Sequence, residues 1–179
     1  MEFTNVVETR RSVREYDASR KVERSVVEEI IKEASYAPSW KNSQTARYHC
    51  IMSEDIIKEV EQECLPEFNA KNADGASAII VASFVNHRSG FERDGSKSNE
   101  LGDGWGCYDL GLKNMIFLLK AHELGLSTLV MGLRDEKKIK ELLNIGDEET
   151  IVSVIALGYS NVQPSMPKRK DVDSVAKFY

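Results

Sequence analysis

A single domain of mixed helices and strands is the architecture this chain predicts, and three observations carry the prediction. The 179 residues, 41% of them hydrophobic, suffice for one core and would leave each of two domains thin. Segments with helical apolar spacing alternate with a few strongly β-like runs. No repeat or low-complexity stretch interrupts them.

Residues 23–36, "ERSVVEEIIKEASY", place Val26, Val27, Ile30, Ile31 and Ala34 on one face, and Pro38 stops the helix. A loop, "APSWKNSQTA", leads to a short strand, "RYHCIM", at 47–52. A second helix is predicted over 54–64, with a break at Pro66. Residues 77–85, "SAIIVASFV", are continuously apolar and β-branched at their centre, which marks a strand inside the sheet. Residues 86–106 carry glycines and charges without periodicity and read as a long surface loop, a lid or a disordered segment, with 89–103 the mobile part. The helix over 107–125 is apolar around most of its circumference, so it needs burial on several sides, for which a partner subunit is a natural source. Gly125 ends it. A strand at 126–132, a helix at 136–143 and a long strand at 150–160 complete the domain. The tail, 161–179, has little local structure and is either disordered or docked on something.

Composition narrows the function. The formal net charge is −5, with both signs mixed along most of the chain, so the extended positive field that nucleic acid requires is missing. No apolar run approaches the roughly 20 residues of a membrane span, and "MEFTNVVETRR" has no signal-peptide core. A soluble, cytoplasmic protein without membrane or nucleic-acid partners is expected. Cys50, Cys64 and Cys107 are odd in number and lack a CxxC, which suggests neither a disulfide framework nor a zinc ribbon. His49 and Cys50 are adjacent in a strand and point to opposite faces, so no metal site is expected. Gly102, Gly104 and Gly106 follow no strand and lack the dinucleotide spacing. No GxSxG elbow is present, and Cys107 has no neighbouring histidine.

What remains is charge and amide density. "ETRRSVREYD" sets Arg10, Arg11 and Arg14 around Ser12, and a second basic cluster, Lys168, Arg169 and Lys170, stands in the tail. Each alone is either a solvated patch or an anion site. Together with the amides and hydroxyls of "PSWKNSQ", they would suit a phosphorylated ring cofactor.

In order and spacing, "RRSVREY", "APSWKNSQ", "DLGLKNMIFLLKAHELGLST" and "LGYS…MPKRK" resemble the FMN-dependent nitroreductases over essentially the whole chain. The resemblance implies a three-layer α+β fold with a central, mostly antiparallel sheet flanked by helices. It also implies an intertwined homodimer with two shared FMN sites and a tail that extends onto the partner. Carried over residue by residue, Arg10, Lys168 and Lys170 would neutralise the FMN phosphate, with Arg11 and Ser12 beside them and Arg169 between the two lysines. Arg14 would face the pyrimidine edge of the ring, where positive charge favours the reduced flavin. Pro38, Ser39 and Trp40 would wall the flavin, while Asn42, from the partner, and Gln44 would supply amides. Asn69 and Asn72 would touch the polar edge of the ring, and Val130, Met131 and Gly132 would bring main chain close to it. The family uses no obligatory acid or base from the protein, so no catalytic side chain is assigned. The activity implied is ping-pong electron transfer from NADH or NADPH through FMN to a small acceptor such as a nitroaromatic or quinone. The alternatives are an FMN-holding or redox-sensing module and a specialised flavin-dependent dehydrogenase or dehalogenase. Thr45 and Ala46 depart from the family pattern, which commonly has proline and an aromatic there.

Overall fold

Four strands make one sheet: β1 (Ala46–Ile51), β2 (Ala78–Val85), β3 (Ser127–Met131) and β4 (Glu149–Gly158). Their order is β1-β2-β4-β3, and every neighbouring pair is antiparallel. The computed structural model describes residues 2–179. β2 and β4 occupy the middle because their runs are apolar on both faces, and such strands must be covered on both. A register shift at Ala82/Ser83 marks a bulge in their pairing.

Side chains alternate between two helical layers. Ile79, Val81, Leu129, Met131, Val154 and Ala156 pack towards α3 (Glu54–Glu59), α4 (Glu67–Ala73) and α6 (Glu136–Leu143). Ile80, Ala82, Ile155 and Leu157 pack towards α2 (Arg24–Ala34) and α5 (Gly104–Glu123). The result is a three-layer α+β domain. On α2 the inward residues are Val27, Ile30 and Ala34, the three-and-four spacing that a single buried stripe requires. α5 crosses the sheet so closely that a Cβ on Gly106 would overlap the Phe84 ring. Its C-terminus closes as a Schellman motif, with Leu126 N–H donating to Ala121 O at 2.9 Å and Gly125 at φ +78°.

Three differences from the sequence reading have physical causes. The helix expected over 54–64 is α3 followed by a π-helical turn at Val60–Cys64. Pro66, expected only as a break, starts α4, which buries Asn69 and Ala73 and therefore shows no apolar stripe. α1 (Phe3–Thr9) was not expected, because Val6 is its one buried residue. α5 turns Leu110, Phe117 and Ala121 inward, yet leaves Tyr108 and Met115 exposed on the opposite face of the single chain.

Candidate functional site

The basic N-terminal motif lies along the free edge of β3. Val13 N–H donates to Thr128 O at 3.0 Å, and Ser12 pairs with Thr128 as a parallel bridge. Two residues on, Arg14 Nη1 turns back to donate to Ser12 O at 3.4 Å. A cleft of about 490 Å³ opens there, lined by Thr9, Arg10, Arg11, His122, Ser127 and Thr128 among others. Burial, then the like charges of Arg11 and Arg169, pull the Arg10 pKa down. Arg169 of the tail therefore bears directly on Arg10. His122 is lowered by burial and by Arg10 and Arg11, which favours its neutral form, and it hydrogen-bonds Thr9 Oγ1 at 2.8 Å. Arg11 is partly committed to its own chain, donating to the carbonyls of Glu8 and Arg10 at the end of α1, while its Nε is buried without a partner.

The far end of β3 brings further predicted residues to the same edge. Met131 is buried in the core, so what it can offer a ligand is main chain. Val130 and Gly132 are exposed, and a Cβ on Gly132 would meet nothing within 4 Å. Asn69 spends its amide on Leu133 O at 2.8 Å, fixing the chain just beyond β3 rather than presenting itself to a ligand. Asn72 has a buried Nδ2 with no partner.

The "PSWKNSQ" loop lies elsewhere. It precedes β1, the opposite edge strand. Thr128 is level with Leu157 and Ala78, whereas Ala46 is level with Phe84 and Thr150 at the other end of the sheet. The two motifs thus sit at diagonal corners, three strand spacings or roughly 14 Å apart across the sheet and about 20 Å along it. One chain does not bring them together. Pro38 is exposed and Ser39 half-buried, and Trp40–Asn42 form a 3₁₀ turn. Trp40 packs against Trp105 with ring centroids 4.5 Å apart and the ring planes tilted by 46°. The Trp40 indole N–H and the Ser43 and Thr45 hydroxyls are buried without partners. Lys168 and Lys170 are exposed, along an extended tail whose Val172, Val175 and Phe178 are exposed as well.

Several groups escaped the sequence reading. Asp109, 2% exposed, accepts from Trp40 N–H at 2.9 Å and Ser89 Oγ at 2.6 Å. Glu61, in the π turn, is raised to about 7 by burial and by Asp74, and its Oε1 lacks a partner. Ser83, His49 and Glu149 form a polar trio on one sheet face. Ser83 and His49 both turn to Glu149, with His49 Nε2 at 2.8 Å, so the hydroxyl is not aimed at a free imidazole base and the trio ties strands together. Burial raises Glu149, but its bonds to Ser83 and His49 outweigh this and hold it below the usual carboxylate range. Among the described residues no group of three or more His, Cys, Asp and Glu side chains could hold a metal ion, and no helix is long and apolar enough to cross a membrane.

Comparison with known proteins supplies the family and the fold. Residues 7–159 match the nitroreductase family. MhqN of Bacillus subtilis, assigned as an NAD(P)H nitroreductase, is 21% identical across 99% of this chain and 98% of its own. A protein of Archaeoglobus fulgidus, assigned as an NADH dehydrogenase/NAD(P)H nitroreductase, is 28% identical across 88% of this chain and 85% of its own. A structure from Exiguobacterium sibiricum, assigned as a nitroreductase and in complex with FMN, superposes with a TM-score of 0.83 at 22% identity, covering 100% of this chain and 98% of that one. The chain belongs to the nitroreductase family.

Proposed function

We propose that the protein is an FMN-dependent NAD(P)H oxidoreductase whose flavin sites form between two copies of the chain. The observation that carries this reading is the β3 edge: a cleft holding Arg10 and Arg11, reached by the charge of Arg169, running into a strand end with open space over Gly132. Arg10, partly desolvated and set against the like charges of Arg11 and Arg169, favours an anion that neutralises it, and a phosphate dianion does so through charge-assisted bonds. The Arg11 Nε beside the cleft and the Asn72 Nδ2 on α4 are buried donors without partners. These residues fit FMN, with phosphate at the cleft and ring towards 130–132.

When bound, FMN supplies the redox chemistry, taking hydride from NADH or NADPH and delivering electrons to a small acceptor such as a nitroaromatic or quinone. The chain's own residues bind and orient. Arg10, Arg11, Ser12 and the tail cluster Lys168, Arg169 and Lys170 anchor the phosphate end. Arg14 lends positive charge to the ring end, which favours the reduced cofactor. Main chain at Val130, Met131 and Gly132 supplies flat, close contact, and Asn69 holds that main chain in place through Leu133. No side chain is assigned as proton donor.

Pro38, Ser39, Trp40, Asn42 and Gln44 join the site from a second copy. Their diagonal separation from the β3 edge supports this, as do the exposed outer face of α5 and the exposed apolar tail, both of which need a partner to cover them. In this reading the tail, 161–179, extends onto that partner and the dimer is cytoplasmic.

An anaerobic absorbance titration of the FMN-loaded protein tests the proposal. Bleaching of the oxidised flavin band by about one equivalent of NADH or NADPH per flavin, reversed by a nitroaromatic or quinone, is the expected result. Purified protein that takes up no FMN would contradict it.

A further inference from the structure

We propose that Asp109 is a positioning residue: its buried carboxylate fixes the loop 38–44 and the segment 86–103 as one unit, and so sets the wall that one copy presents to the flavin of the other. The proposal rests on the two-copy reading above and adds the group that holds half of each site.

The loop 38–44 carries strained backbone. Lys41, Asn42 and Gln44 lie at φ +45°, +54° and +49°, a left-handed conformation that non-glycine residues adopt at a cost. Such a conformation persists where surrounding bonds determine it. Within the loop, Ser39 Oγ accepts from Gln44 N–H at 3.0 Å, Asn42 N–H donates to Ser39 O at 3.0 Å and Ser43 N–H to Trp40 O at 2.8 Å. Further anchors tie the loop to the rest of the chain. Asp109 takes the Trp40 N–H, 69 residues away in sequence, and with the same oxygen takes the Ser89 hydroxyl. One carboxylate oxygen therefore joins the loop, the segment after β2 and the second turn of α5.

Other ties run in parallel. Lys41 Nζ reaches both oxygens of Glu92 at 2.8 Å, and Ser98 donates to Glu92 at 2.6 Å. Trp105 packs on Trp40 and is itself held by Asn99, which accepts from its Nε1 at 2.9 Å. These neighbours make the segment 86–103 a folded extension of the wall. The Lys41 pair is exposed and screened by water, whereas Asp109 is buried, so its bonds to the loop are the strong ones. Lys113, one helical turn on and itself buried, is the opposite charge that bears on it.

The chain contains two tryptophans, Trp40 and Trp105, and they form the packed pair at this junction. Their coupled band in the ultraviolet circular dichroism of flavin-free protein therefore reads the wall directly. Wild-type protein should show the couplet, and Trp105→Phe should abolish it, proving its origin. Asp109→Ala should lose most of it. Asp109→Asn, which keeps an oxygen acceptor without full charge, should retain part, and it carries the test if Asp109→Ala does not fold. In FMN-loaded protein the same two variants should raise the KM for 4-nitrobenzoate about tenfold in Asp109→Ala and less in Asp109→Asn, with kcat changed less than about threefold, because acceptor placement and not the flavin is disturbed. A couplet and a KM unchanged in both variants would overturn the proposal. Wild-type protein that shows the couplet but binds no FMN would instead overturn the functional reading, and the flavin-free measurement separates the two failures.

Discussion

The two edges of the sheet differ in how their polar groups are held. Along β3, Arg10 is partly desolvated and faces the like charges of Arg11 and Arg169, and the space over Gly132 is open. Along β1, Asp109, Glu92 and Asn99 tie the loop and the segment beside it together and two tilted indoles pack at the junction, although the Trp40 indole N–H and the Ser43 and Thr45 hydroxyls are left buried without partners. The difference separates binding from enclosure. In the proposed function the like charges at β3 supply affinity, and the cross-tied loop before β1 supplies shape.

Breaking the β3 side should give the largest effect. Arg10→Ala should weaken FMN binding by about 2 kcal/mol, roughly 30-fold, through loss of a charge-assisted contact to phosphate, measured by quenching of flavin fluorescence. Equal affinity in the variant would mean that the cleft is not the phosphate site. Arg14→Met sharpens the comparison within that edge. Flavin reduction by NADH should slow by about tenfold, near 1.4 kcal/mol, while FMN affinity stays within about threefold, since the proposed function puts this residue at the ring end and not at the phosphate.

Two smaller effects test the frame that carries β3. Glu61 is raised from 4.5 to about 7, so the native state binds its proton more tightly than the unfolded chain does. Its contribution to stability is full below about pH 4.5 and is lost as pH rises towards 7. Glu61→Gln should therefore be more stable than wild type at pH 8 by about 1 kcal/mol, a value reduced for partial exposure, and no more stable at pH 5. Urea unfolding at the two pH values measures this. Gly125→Ala should lose about 1 kcal/mol at every pH, because φ +78° is unfavourable for alanine while a Cβ there meets nothing within 4 Å.

Most of the frame was legible in the sequence where one physical signal dominated. β2 was readable because Ile79, Ile80 and Val81 suit only a strand covered on both faces. α6 was found with its observed limits, Glu136–Leu143, since Asp135 caps its start through Lys138 N–H and Asn144 adopts a left-handed turn at its end. α1 and α4 were missed because helices that bury one or two residues carry no periodicity. In the site, the basic cluster around Ser12 was visible in the sequence, but charge pattern could not rank Lys168, Arg169 and Lys170, of which Arg169 bears on Arg10. Asp109 was invisible for a different reason. An aspartate near a helix start reads as solvated, and its partners, Trp40 and Ser89, meet it only through tertiary folding.

The central claim is that each flavin site joins the β3 edge of one copy to the β1 loop of another. Co-expression of an Arg10→Ala chain with a Trp40→Ala chain, followed by isolation of the mixed dimer through two different tags, tests it directly. If sites are shared, one site of the mixed dimer carries both substitutions and the other carries neither, so one FMN per dimer should bind with wild-type affinity and support NADH oxidation. A mixed dimer in which neither site has wild-type affinity would contradict the account, because each site would then carry one substitution and both motifs would surround the flavin of a single chain.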